Sequence, residues 1–263
     1  MEIIFTNYNY NDNIIDLEIL NHTITGLTGN SKREYFKLLS LINLGKGQLL
    51  INDEKVTKEN IHEYKNKISI IKNELENIHF ITTVKELMNY KIRLCNLKIK
   101  DCDKKIKDSL KIVGLDEEYL ERKLVTLSAS EKKLIQYALS LISNPELIII
   151  EEPFKFLDNK NEKKISMLLQ RLKEQFNINI ILVSDDSNIL YKYTDNIIFT
   201  KNGKIVLQGK TDVIYQRVDF LKRNKFDVPE IIEFTYLAKK KKAVKIDYHK
   251  DIRDIIKDIY KHV

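Results

Sequence analysis

Leu147-Ile148-Ile149-Ile150-Glu151-Glu152-Pro153 closes a run of four apolar residues with two carboxylates and a proline, and Phe156-Leu157-Asp158 follows. An uninterrupted apolar run of this length reads as a strand buried on both faces, as in a parallel sheet covered by helices. Residues 178–184 repeat the pattern and end at Asp185-Asp186. Between the two runs, residues 159–176 are helical. Working outward, residues 2–6 and 14–19 read as early antiparallel strands, and 48–52 and 67–72 as further strands. Residues 196–200 and 204–208 flank Asn202-Gly203, a strong hairpin signal. Residues 84–123 turn helical and polar, a helix opens at Leu127-Ser128 and runs to about 142, and the chain after Thr211 is helical again. Strands alternating with helices predict an α/β fold with a mostly parallel sheet.

Composition bounds the rest. The 263 residues suffice for one large α/β domain with a short appendage. Net charge is +7, spread along the chain apart from one run at Lys239-Lys240-Lys241-Lys242. That run reads as a solvated helix end or as a contact for anionic lipid or nucleic acid. Cys95 and Cys102 are the only cysteines and form no CxxC pair, which argues against a disulfide scaffold or zinc site. The first residues lack the basic start and apolar core of a signal peptide, and no apolar run approaches the roughly 18 residues that span a bilayer. A membrane role would come through a partner.

Residues 23–25 lead into Gly26-Leu27-Thr28-Gly29-Asn30-Ser31-Lys32, then Arg33, Glu34 and a helix to about 42. Strand, glycine loop, lysine and helix outline a P-loop, whose backbone amides and lysine wrap a polyphosphate. Here Ser31 replaces the glycine before the lysine, and Arg33 replaces the hydroxyl that binds Mg²⁺. Alone, the fragment reads more readily as an ordinary strand-to-helix turn than as a phosphate site.

Taken in order, the phosphate loop, Lys72, Leu127-Ser128-Ala129-Ser130-Glu131, the 147–153 strand, Asp158 and Asp185 resemble the ABC ATPase family over residues 1–210. The resemblance implies a P-loop NTPase fold of ABC type. Its parts would be a mostly parallel core sheet, an antiparallel β subdomain, a helical subdomain at about 84–142 and a C-terminal helical extension at 211–263. It also implies roles. Residues 26–34 would hold ATP, and Lys72 stands for the glutamine that senses metal and water. Ser128, Ala129, Ser130 and Glu131 would cap the ATP of an opposing subunit. Glu151 replaces the Walker B aspartate, Glu152 matches the catalytic base, Asp158 the D-loop aspartate, and Asp185 replaces the switch histidine. Tyr10 is either an adenine-stacking aromatic or a core tyrosine of the hairpin.

The substitutions put Mg²⁺ in doubt, because Arg33, Lys72 and Glu151 stand at its usual ligand positions. Either the cations Lys32, Arg33 and Lys72 replace the metal's charge, or an unused site has decayed. Asp185 would repel a γ-phosphate unless it pairs with Lys72 or Arg33. Glu131 would place a charge where an amide belongs. Gly209 to Tyr215 and Phe226-Asp227-Val228-Pro229-Glu230 resemble the tail of ATPase subunits of energy-coupling factor (ECF) importers. That resemblance implies a second ATPase subunit, in a heterodimer, and a transmembrane coupling protein as partners, at the cytoplasmic membrane face, with no nucleic acid. Two functions stay open: an ATP-binding transport subunit with impaired hydrolysis, and an inactive pseudo-ATPase supporting an intact one.

Overall fold

A computed structural model describes every residue except 43, 74, 76–80, 96–99, 243–246 and 262–263. The chain opens with β1 (Ile3–Tyr10), β2 (Asn13–Ile19), β3 (Ile24–Gly29), α1 (Lys32–Leu39), β4 (Lys46–Ile51) and β5 (Glu54–Lys55). Then come α2 (Ile61–Asn66), β6 (Ile68–Ile71), α3 (Val84–Leu94), α4 (Cys102–Val113) and, after two 3₁₀ turns, α5 (Ala129–Ile142). β7 (Leu147–Glu151), α6 (Asn159–Phe176), β8 (Asn179–Val183), α7 (Ser187–Tyr193), β9 (Asn196–Lys201) and β10 (Lys204–Lys210) complete the sheets. Four helices follow: α8 (Thr211–Tyr215), α9 (Val218–Arg223), α10 (Glu230–Lys242) and α11 (Ile252–Lys261).

One sheet has the order β2-β1-β4-β5 and is antiparallel; the other has the order β10-β9-β3-β8-β7-β6 and is parallel except for β10. The apolar runs that suggested two-sided burial divide by period two. Leu147 and Ile149 of β7 join the core under α1 and the antiparallel sheet, while Ile148 and Ile150 join the opposite core under α5 and α6. All four are at most 1% exposed. Burying each such side chain contributes on the order of 1.5–3 kcal/mol, so the central strands are held from both sides.

The β9–β10 turn puts Asn202 at φ 51° and Gly203 at φ 76°, the left-handed pair that a two-residue hairpin requires. The helices after β10 begin by packing on the parallel sheet. Tyr215 of α8 meets Tyr191 and Phe199 edge-on at 5.5 and 5.6 Å, and Phe226 meets Phe199 at 4.8 Å. Among the described residues, no helix is long and apolar enough to cross a membrane.

Candidate functional site

The sequence places its chemistry at the carboxyl ends of β3, β7 and β8, and the three strands are adjacent. At the end of β3 the structure differs from the expected open loop. Gly26 and Leu27 stay in register with Leu182 and Val183 of β8, and Thr28 and Gly29 with Phe199 and Thr200 of β9. Only Asn30 and Ser31 separate the strand from α1. Both are fastened to the β9–β10 turn. Asn30 Nδ2 donates to Asn202 Oδ1 at 3.0 Å, while Asn30 Oδ1 accepts from Asn202 N at 2.9 Å. Ser31 Oγ accepts from Gly203 N at 2.7 Å, and the Tyr35 hydroxyl donates to Gly203 O at 3.0 Å.

The reading of residues 26–31 as a ring of free amides is therefore corrected. The ladder continues because Gly29, at φ 104°, lets β9 come close: a Cβ there would lie 1.9 Å from Thr200 O. Ser31 supplies an acceptor that a glycine could not. What remains at this edge is the first turn of α1, whose N-cap Ser31 makes no side-chain cap bond.

Asp185 forms an ion pair with Lys32, a correction to the expected partners Lys72 or Arg33. The lysine that would meet a phosphate is thus met by a carboxylate. Next to Asp185, the buried Ser184 hydroxyl donates to Glu152 Oε2 at 2.8 Å. Glu152 adopts φ 44°, and its N–H donates to Val183 O at 2.9 Å. Lys32, Asp185 and Glu152 therefore border one edge, linked through residues 184 and 185. Arg33 and Glu34 are exposed on α1. Glu151 Oε2 accepts from Asn73 N at 3.4 Å, and Asp158 caps α6 by accepting from Asn161 N at 2.7 Å. The Lys72 side chain lines a groove against Leu87, Tyr90 and Gln136. Tyr10 is 6% exposed in the core below the antiparallel sheet, which leaves no open ring face for a base.

Glu131 also departs from expectation. The charge expected in place of an amide is turned into its own chain. Oε2 accepts from Ser128 N at 2.7 Å, Oε1 accepts from Arg122 Nη1 at 2.6 Å and from the Tyr119 hydroxyl at 2.8 Å, and Ser128 Oγ accepts from Glu131 N at 3.2 Å. This capping box holds the first turn of α5. The Ser128 backbone bond, then Tyr119 and Arg122, lower the Glu131 pKa to about 2. A lowered carboxylate pKa adds stability above the unfolded value of 4.5, and that stability is lost as pH falls through about 2. Glu131→Gln is expected to cost about 1 kcal/mol at pH 7. In urea titrations the gap to the parent should close between pH 4.5 and 2; a gap unchanged over that window would count against the charged cap.

Lys133, missed in the sequence, is the other buried group of this edge. It is 1% exposed, and its Nζ donates to Glu151 O at 2.9 Å and Lys72 O at 3.4 Å. Burial lowers its pKa to about 8, with Glu152 and Glu151 opposing the shift. The available signal was spacing: position 133 shares a helix face with buried Tyr137 and Ser140. Lys133 bolts α5 to the ends of β6 and β7.

Comparison with known proteins gives concordant findings. A family model described as ABC transporter matches residues 15–155. The energy-coupling factor transporter ATP-binding protein EcfA2 of Enterococcus faecalis is 29% identical over 216 residues, 80% of this chain and 75% of the relative. EcfA2 of Clostridium perfringens is 26% identical over 235 residues, 88% of this chain and 81% of the relative. The fold is similar to cbiO1 of Clostridium perfringens, described as part of the ABC transporter complex cbiONQ. That likeness has a TM-score of 0.71 at 22% identity, covering 89% of this chain and 98% of the other. It is also similar to the ATP-binding cassette MJ0796 in a dimer bound to ADP and Pi, with a TM-score of 0.68 at 20% identity, over 80% and 99% of the chains.

Proposed function

From the premise that this chain belongs to the ABC transporter family, we propose that it is the cassette subunit of an ECF-type importer whose own phosphate site does not hydrolyse ATP. It acts at the cytoplasmic membrane face as the structural or regulatory mate of an intact ATPase subunit, in a heterodimer docked on a transmembrane protein. The ECF assignment is supported by the EcfA2 relatives and by Asp227-Val228-Pro229 directly before α10. The groove beside Leu87, Tyr90 and Gln136 on the helical subdomain supports docking there.

One observation carries the loss of turnover: β3 stays in its ladder to Gly29 while Asp185 occupies the charge of Lys32. Phosphoryl transfer rests on positioning and on charge neutralisation, and removing one stabilising donor typically costs about 10²–10³ in rate. Here the amide ring and the donor at position 185 are both replaced. Mg²⁺ does not fit the donor set either. Arg33 brings a cation where a hydroxyl would bind the ion, and the Glu151 carboxylate accepts from Asn73 N. Glu152 stays beside this edge, without partners to orient a water through a metal.

Steady-state hydrolysis decides it. The purified chain alone should release no phosphate above background, with Glu152→Gln unchanged. Mixed with an intact cassette subunit, turnover should depend on that subunit's base. Turnover by the chain alone that drops about 10²-fold in Glu152→Gln would make it an active ATPase.

A further inference from the structure

Away from the hydrolytic edge, α4, α6 and the end of α7 border an open groove of about 1070 Å³. That volume exceeds the roughly 300–1,000 Å³ typical of small-molecule sites. Leu168 and Tyr193 lie at its floor, and each bank carries an exposed apolar side chain: Ile112 of α4, 48% exposed, and Met167 of α6, 64% exposed. A single exposed apolar residue needs no explanation. Here two of them line one concavity whose floor is already apolar, which makes a strip. Charge flanks the strip with one sign dominant. Lys111, Lys164, Arg171 and Lys192 line the groove against Asp108 and Glu174. Lys192 is engaged by Glu162 at 3.4 Å. Among the described residues, Lys111, Lys164 and Arg171 have no carboxylate within ion-pair reach, and Arg171 Nε donates to the neutral Gln175 Oε1 at 2.9 Å. An apolar strip rimmed by unpaired cations selects an occupant of opposite charge.

We propose that this groove receives an acidic amphipathic helix of another polypeptide. The apolar face of that helix covers Ile112, Met167 and Leu168, and its carboxylates meet Lys111, Lys164 and Arg171. Both banks are helices and offer no strand edge, so the docked segment brings its own satisfied backbone, as a helix laid in a groove does. The bank from Lys164 to Gln175 is about 16 Å long at about 1.5 Å per residue, room for about three turns of the docked helix. Other occupants fit less well. A second copy carries the same net charge of +7 and would set cations against cations. A bilayer surface is flat on this scale and does not reach Leu168, which is 9% exposed at the floor. The inference does not rest on transport or on hydrolysis.

Fluorescence anisotropy with the full chain tests it. The probe is a labelled helix-forming peptide of about four turns, with leucine at i, i+3, i+4 and i+7 and glutamate on the flanks. Its control has lysine in place of glutamate. The glutamate peptide should bind about tenfold or more tighter than the lysine peptide, and Met167→Glu, Lys164→Glu and Arg171→Glu should each weaken it by about tenfold. All three side chains are exposed, so the melting temperature should stay at the parent value. Lys163→Glu, an exposed neighbour on α6 outside the groove, should change binding by less than about twofold. No saturable binding, equal affinity for the two peptides, indifference to Met167→Glu, or an equal loss in Lys163→Glu would overturn the proposal. So would a parent dimer in sedimentation, or binding to anionic phosphatidylglycerol vesicles, that Met167→Glu abolishes, since the face would then belong to a second copy or to lipid. None of these readouts involves turnover, so a failure here is distinct from failure of the hydrolysis assay.

Discussion

Gly29→Ala should destabilise the chain by about 3–5 kcal/mol or prevent folding outright. Two costs add at that position. The backbone sits at φ 104°, where an L side chain is strained by roughly 1–3 kcal/mol. The new Cβ would also lie 1.9 Å from Thr200 O and 2.9 Å from the carbonyl carbon, so backbone, not a flexible side-chain tip, must give way. Relief would require β9 to leave β3, which also breaks the Thr200 Oγ1 bond to Thr28 O and strips the Asn202-Gly203 turn from Asn30 and Ser31. Gly26→Ala is the control. There a Cβ meets only the side chains of Ile197, Leu190 and Thr194, each at 3.3 Å, and the expected loss is about 1 kcal/mol. Guanidinium unfolding of the two variants should separate them by several kcal/mol. If Gly29→Ala proved as mild as Gly26→Ala, residues 26–29 would form an open loop, and the ladder reading would fail.

The same contrast explains what could be read from the sequence. The buried strands were legible because β7 and β8 carry apolar residues on both faces, a pattern few other environments demand. The hairpin was legible from Asn202-Gly203, whose left-handed conformation limits the residue choice. The end of β3 was not. Gly26-x-x-Gly29 has the glycines of a phosphate loop, but its conformation is settled by partners about 170 residues away in sequence, at Thr200, Asn202 and Gly203. Local pattern cannot weigh a ladder against a loop when the deciding strand is that remote. Glu131 failed for a related reason. Read as a charge where an amide belongs, it was already half of a local capping box, and Arg122 and Tyr119 complete its shell. Asp185 was recognised as able to close the site, yet Lys32 lies nearer than either lysine or arginine named for it. Lys133 escaped because charge on a helix reads as surface by default.

Lys133→Ala should cost about 2–4 kcal/mol, by leaving Glu151 O and Lys72 O without their buried donor and by emptying the space of the aliphatic stem. Lys133→Met keeps the stem and loses only the head, so its cost should be smaller, about 1–2 kcal/mol. The pH dependence identifies the head as a buried cation. In the folded chain its pKa is about 8, against 10.5 in a free lysine. Between those values the unfolded chain holds a proton that the folded chain has released. Stability of the parent therefore rises with pH across this window relative to Lys133→Met. The neutral amine still donates to both carbonyls, so no bond is lost as the charge leaves. Urea midpoints at pH 7.5, 9 and 10 measure the effect, and a parent–Met gap independent of pH would place the ammonium in water. The consequence reaches the helical subdomain, since α5 carries Ser128 at its start and Lys133 ties that helix to the two strand ends bearing Lys72 and Glu151. In this chain the link between helix and sheet is made by hydrogen bonds from a lysine of the chain itself, and it holds without any bound phosphate.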